Sequence, residues 1–165
     1  KKIYQKYVFQ FEEDEEFHDK SNLVEEIIER KLYPKIETRV NLNTIITPND
    51  FEELITPVEI GFIGRNGTIV AGQTMDFSKR LYNLENVLTK FISFTKAADY
   101  KQDRRGKYFI VGDEPSKENI KNHKTWRHVK ESNLVDYVDV SEVEKIKEYI
   151  EVKEVTPYFE KEAST

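Results

Sequence analysis

The chain of 165 residues contains no cysteine, so disulfides, thiolate metal sites and thiol nucleophiles are excluded. Its apolar stretches are short. None approaches the eighteen or more consecutive apolar residues that a membrane-crossing helix needs, so a membrane partner is not expected. The opening residues, KKIYQKYVFQFEEDEE, lack the apolar core and small-residue cleavage site of a secretory signal. Together these absences lead us to expect an intracellular protein. Glycine is scarce too, at six residues, and neither a Gly-rich Lys-Ser/Thr phosphate loop nor a dinucleotide fingerprint occurs, so no nucleotide cofactor is expected. Three histidines remain as candidate metal ligands. His123 and His128 are five apart, which does not place them on one helical face, and His18 is distant, so no metal site is expected. Ser93, Ser116 and Ser132 lack a nucleophile-elbow context, and no catalytic residue is assigned.

What the chain has is charge and aromatics. Charged residues make up 35% of it, and ten Phe and nine Tyr recur along most of its length, which suits a globular domain with a heavily charged surface. The net charge of -5 conceals a division. Residues 1–60 carry 8 Lys and Arg against 14 Asp and Glu, residues 61–132 carry 14 against 8, and residues 133–165 carry 4 against 9. A basic middle between acidic ends points to an anionic partner on one face, or to a solvated face whose charges pair with those ends.

Periodicity divides the chain further. Lys2–Phe11 reads as a strand, closed by the acidic run Glu12–Glu16. Ser21–Leu32 reads as a helix with Ser21 or Asn22 as cap and Leu23, Val24, Ile27 and Ile28 on one stripe. TRVNLNTIIT predicts a strand, and NDFEEL a short helical turn. Pro57 marks a join, which separates an acidic α+β extension (1–57) from a main domain (58–152) and a loose C-terminal tail (153–165). VEIGFIGRNGTIVAGQ permits two readings: a β-hairpin turning at Asn66-Gly67, or a loop that delivers one buried strand, Thr68–Ala71. Leu81, Leu84, Val87, Leu88 and Phe91 form a helical stripe, and FISFTKAADY is read as a strand with its exit. Tyr108–Val111 is the clearest buried strand. SKENIKNHKTWRHVKES is a basic helix with Ile120, Trp126 and Val129 as apolar anchors, VDYVDV is a strand, and Ser141 with Glu144 suggests a capping box on the last helix.

The order from residue 58 to 152 resembles a BRCT domain, a small module of DNA replication and repair proteins. Phe62, Gly64, the run TIVAG ending at Gly72, and Arg80 at the head of a helix stand where such domains carry comparable residues. YFIVGDEPSK and VDYVDVSEVEKI match two later landmarks. Departures are Thr89-Lys90 in place of a Gly-Gly pair, Tyr149 in place of a tryptophan in the last helix, and the long loop ADYKQDRRGK. The resemblance implies an α/β fold with a small four-stranded parallel sheet flanked by helices, and Thr68–Ala71 as one of its parallel strands. It implies non-enzymatic binding of DNA, DNA ends or a protein partner, whether phosphorylated or not.

In phosphate-binding members a hydroxyl residue precedes the strand-ending glycine, and a lysine on the second helix completes the site. Here Ala71 precedes Gly72, so the resemblance assigns phosphate binding to Gly72, Gln73 and Thr74 with Lys117, Lys121 or Lys124. Without the family, backbone N–H groups between a strand and a helix form an anion site, which Asp76 opposes. A nucleic-acid surface is expected from cations interleaved with aromatics: Arg80, Lys101, Arg104, Arg105, Lys107, Trp126, Arg127 and Lys130. Two alternatives stand beside these. A metal-dependent nuclease of restriction or defence type wants an acidic residue on one strand and Glu-x-Lys on the next, and Glu59 supplies only the first. An acidic inhibitor of immunity type would act through residues 1–60.

Overall fold

A computed structural model describes residues 23–161. The strand expected over Lys2–Phe11 and the caps Ser21 and Asn22 lie outside the described residues. A helix over 23–31 (α1) and a short one, Tyr33–Ile36 (α2), precede β1, Asn41–Ile46. Then follow β2 (Val58–Asn66), β3 (Thr68–Thr74), α3 (Leu81–Gln102), β4 (Lys107–Gly112), α4 (Ile120–Glu131), β5 (Asp136–Asp139), α5 (Glu144–Val152) and β6 (Thr156–Pro157). The protein is α/β, with a mixed six-stranded sheet in the order β1-β2-β3-β4-β5 and β6 against β2.

The four-stranded parallel sheet is corrected by this pairing. β2 and β3 form an antiparallel hairpin, with Phe62 opposite Gly72 and Asn66 opposite Thr68, and only β3, β4 and β5 run parallel. Of the two readings of VEIGFIGRNGTIVAGQ, the hairpin is the one the chain adopts. Gly67 turns it at φ +71°, a conformation that glycine reaches without Cβ strain. β1 pairs antiparallel with β2 from Asn41–Ile63 to Ile46–Val58, so the sheet continues across the expected join at residue 57.

Alternation along the strands sends side chains to two covered faces. Ile69, Ala71, Tyr108 and Ile110 meet Phe91 and Phe94 of α3 and Trp126 and Val129 of α4. Val70, Phe109 and Val111 meet Val24 and Ile28 of α1 and Ile146 and Ile150 of α5 on the other face. Strands buried on both faces read as continuous apolar runs, as these do. The segment FISFTKAADY is not a strand. It belongs to α3, because Leu84, Phe91, Phe94 and Ala98 keep the helical spacing to the end. The capping box is not formed either: Asp139 accepts from the N–H and hydroxyl of Ser141, and the cap of α5 is Val143, without a side-chain bond. The described part of the tail is docked. Val155 is fully buried, β6 pairs with Gly64 and Arg65, and Phe159 donates its N–H to the Asn41 side chain.

Candidate functional site

Gly72 lies inside the sheet, opposite Phe62 on one side and Phe109 on the other. A Cβ there would come within 2.2 Å of the Phe62 ring. The glycine therefore makes room for an aromatic ring, and its peptide belongs to the sheet interior. The Gln73 amide donates to the Glu59 carbonyl, and its Oε1 accepts from the Thr74 N–H at 3.2 Å. Both side chains line a polar cleft of about 550 Å³ at the end of β3, beside Glu25 and Glu29 of α1, Tyr33, Asn43, Glu59 and Lys79. Burial pushes the Tyr33 hydroxyl pKa up, a hydrogen bond with Thr74 opposes this, and the carboxylates of Glu29, Glu25 and Glu59 add to the rise. The cleft is thus electronegative, which disfavours phosphate.

Lys117, Lys121 and Lys124 do not join Gln73 and Thr74. Lys117 and Lys124 line a separate groove of about 480 Å³ on the outer side of α4, with Ile120, His123, Arg127, His128 and Glu131. The reason is helical period. Asn122, His123, Trp126 and Val129 turn inward, which leaves Ile120, Lys121, Lys124, Arg127 and His128 facing out. Among the described residues, Lys121, Lys124 and Arg127 have no ion-pair partner within 4 Å. Ile120, expected as an anchor, is 75% exposed and sits among these cations.

The basic stretch from Lys101 to Lys130 falls into three places. Lys101 donates to the Asp50 carbonyl and covers the Phe51 ring, Arg104 approaches the Gly67 carbonyl at 3.4 Å, and Arg105 is exposed beside it. Lys107 pairs with Asp136 at 2.8 Å and lies over Phe109 and Tyr149, on the face opposite α4. Arg80 heads α3 and is exposed. Trp126 is no platform for a base: it is 8% exposed, packs edge-on to Tyr137, and carries the Lys130 ammonium over its ring.

Two contacts fix the α4 groove. His123 Nε2 lies 2.8 Å from a Glu114 carboxylate oxygen, and this bond, with the imidazole charge, holds the Glu114 carboxyl below the usual carboxylate range. Asn122 Nδ2 donates to the carbonyls of Phe77 and Lys79, which ties the first turn of α4 to the turn that leaves β3. Neither contact was legible in the sequence, since each joins residues across a loop. The convergence of Glu25, Glu29 and Glu59 was hidden for the same reason, although the four-residue spacing of Glu25 and Glu29 does put both on one side of α1.

Neither Gly72-Gln73-Thr74 nor Gln73-Thr74-Met75 supplies a carboxylate followed two residues on by lysine. Among the described residues no group of three or more His, Asp or Glu is placed to hold a metal ion. Also among them, no helix is long and apolar enough to cross a membrane. Comparison of the chain with protein-family models, curated proteins and solved structures returns no match.

Proposed function

We propose that the protein is a non-enzymatic module that binds DNA by its phosphate backbone through the outer face of α4. The observation that carries this reading is the row of Lys121, Lys124 and Arg127 along the outer side of α4, continued by Lys117 in the turn before it, all exposed, with Glu131 as the only acidic residue lining the groove beside them. Cations held in a row without carboxylate partners are available to displace the counterions of a polyanion. The BRCT resemblance adds a replication or repair setting, and for that reason DNA ends belong among the substrates tested.

The test is salt-dependent retardation of a short duplex, with blunt and closed ends compared. Four phosphate contacts predict a log–log salt slope of roughly -3 to -4. Changing Lys117, Lys121, Lys124 and Arg127 to Ala flattens the slope and weakens binding at low salt. Retention of full affinity by that variant, or no binding to any duplex at low salt, overturns the proposal.

A further inference from the structure

We propose that the acidic run Glu12–Glu16 of this same chain, flanked by Phe11 and Phe17, docks along the α4 groove and competes there with DNA. The docking stands on its own observations; the competition rests on the DNA reading above.

Complementarity is the first of those observations. The groove presents Lys117, Lys124 and Arg127 around Ile120, an exposed apolar side chain among cations. The run presents five consecutive carboxylates with an aromatic ring at either end. Each ion pair at an exposed site contributes little, but a row of them beside an apolar contact adds up.

Position is the second. Val24 and Glu25, at the start of the described structure, line a small cavity together with Asp76 and Lys79. The Lys79 carbonyl accepts from Asn122, in the first turn of α4, at 2.6 Å. The chain therefore enters the fold beside the turn to which the buried side of α4's first turn is tied. The eight residues from Glu16 to Val24 reach roughly 25 Å when extended, while the twelve residues of α4 measure about 18 Å. The tether covers the length of the helix. The other concavity near that entry point carries Glu25, Glu29 and Glu59, which repel an acidic run. The α4 groove carries the opposite sign.

The experiment compares the full chain with a full-chain variant carrying Glu12→Gln, Glu13→Gln, Asp14→Asn, Glu15→Gln and Glu16→Gln. Backbone amide shifts of Lys121, Lys124 and Arg127 are read in both, and duplex affinity is measured alongside. The α4 amides are expected to move in the variant, independently of protein concentration. Its affinity for the duplex is expected to rise about tenfold at low salt, as it would if the run covered the groove nine-tenths of the time. Unmoved α4 amides overturn the docking, even if both forms bind DNA, and in that case the DNA reading survives. Moved amides with no DNA binding by either form leave the docking standing and remove the DNA reading. A shift that grows with protein concentration assigns the contact to a second copy and overturns the intrachain form.

Discussion

The Asn122 side chain donates to two backbone carbonyls, Phe77 at 2.8 Å and Lys79 at 2.6 Å, across 45 and 43 residues of sequence. One buried amide thus joins α4 to the turn that leaves β3. Asn122→Ala strips both carbonyls of their donor and is expected to cost about 1–3 kcal/mol, read from a urea unfolding midpoint. A change below about 0.5 kcal/mol would mean that water satisfies the two carbonyls equally well.

Gly72 and Phe62 make a second, steric prediction. Gly72→Ala drives a methyl into the Phe62 ring, with built distances of 2.2 and 2.3 Å to two ring carbons. The expected destabilisation is about 1–3 kcal/mol, and Phe62→Leu in the same chain should recover part of it. Simple additivity of the two substitutions would contradict the clash.

Glu114 supplies a pH dependence. Its carboxyl is held below the usual range by His123, so its ionised form favours the folded state. That contribution is full above the unfolded carboxylate pKa and is lost as pH falls through the depressed native value. In a carboxyl titration followed by NMR, Glu114 should titrate below an ordinary glutamate, and His123→Phe should raise it toward the ordinary range. An unchanged midpoint in that variant would remove His123 as the cause.

Val155 anchors the residues that follow α5. It is fully buried, and its Cγ1 lies 2.6 Å from where a Gly64 Cβ would stand. Val155→Ala is expected to lower stability by about 2 kcal/mol in the same urea assay, with the slope of the transition unchanged. A neutral result would mean that this segment is only loosely seated.

Much of this arrangement was legible where local chemistry decided it. Asn66-Gly67 is a strong hairpin signal, and the inward spacing of Trp126 and Val129 fixed which side of α4 turns to the core. Thr68–Ala71 was less informative, because an interior strand is apolar on both faces whether its neighbours run parallel or antiparallel. That ambiguity allowed the family resemblance to favour a parallel sheet. FISFTKAADY misled by its β-branched and aromatic content, since over so short a stretch the helical phase of Phe91, Phe94 and Ala98 shows only when tied back to Leu84. The dispersal of Lys101, Lys107 and Lys124 to three surfaces depends on where β4 passes between helix layers. Composition alone carries no record of that.

β1 and β6 lie on the same side of β2, the first along Val58–Ile63 and the second at Gly64–Arg65. One flank of the central hairpin is therefore assembled from segments more than a hundred residues apart. For a chain leaving the ribosome this sets an order of events: β1 is made early, yet the flank it belongs to stays incomplete until Val155 to Phe159 have emerged. Stalling synthesis at successive lengths should show the folding force arriving in one late step. An early force peak, before β6 is released, would show that the hairpin and its helices can close without it.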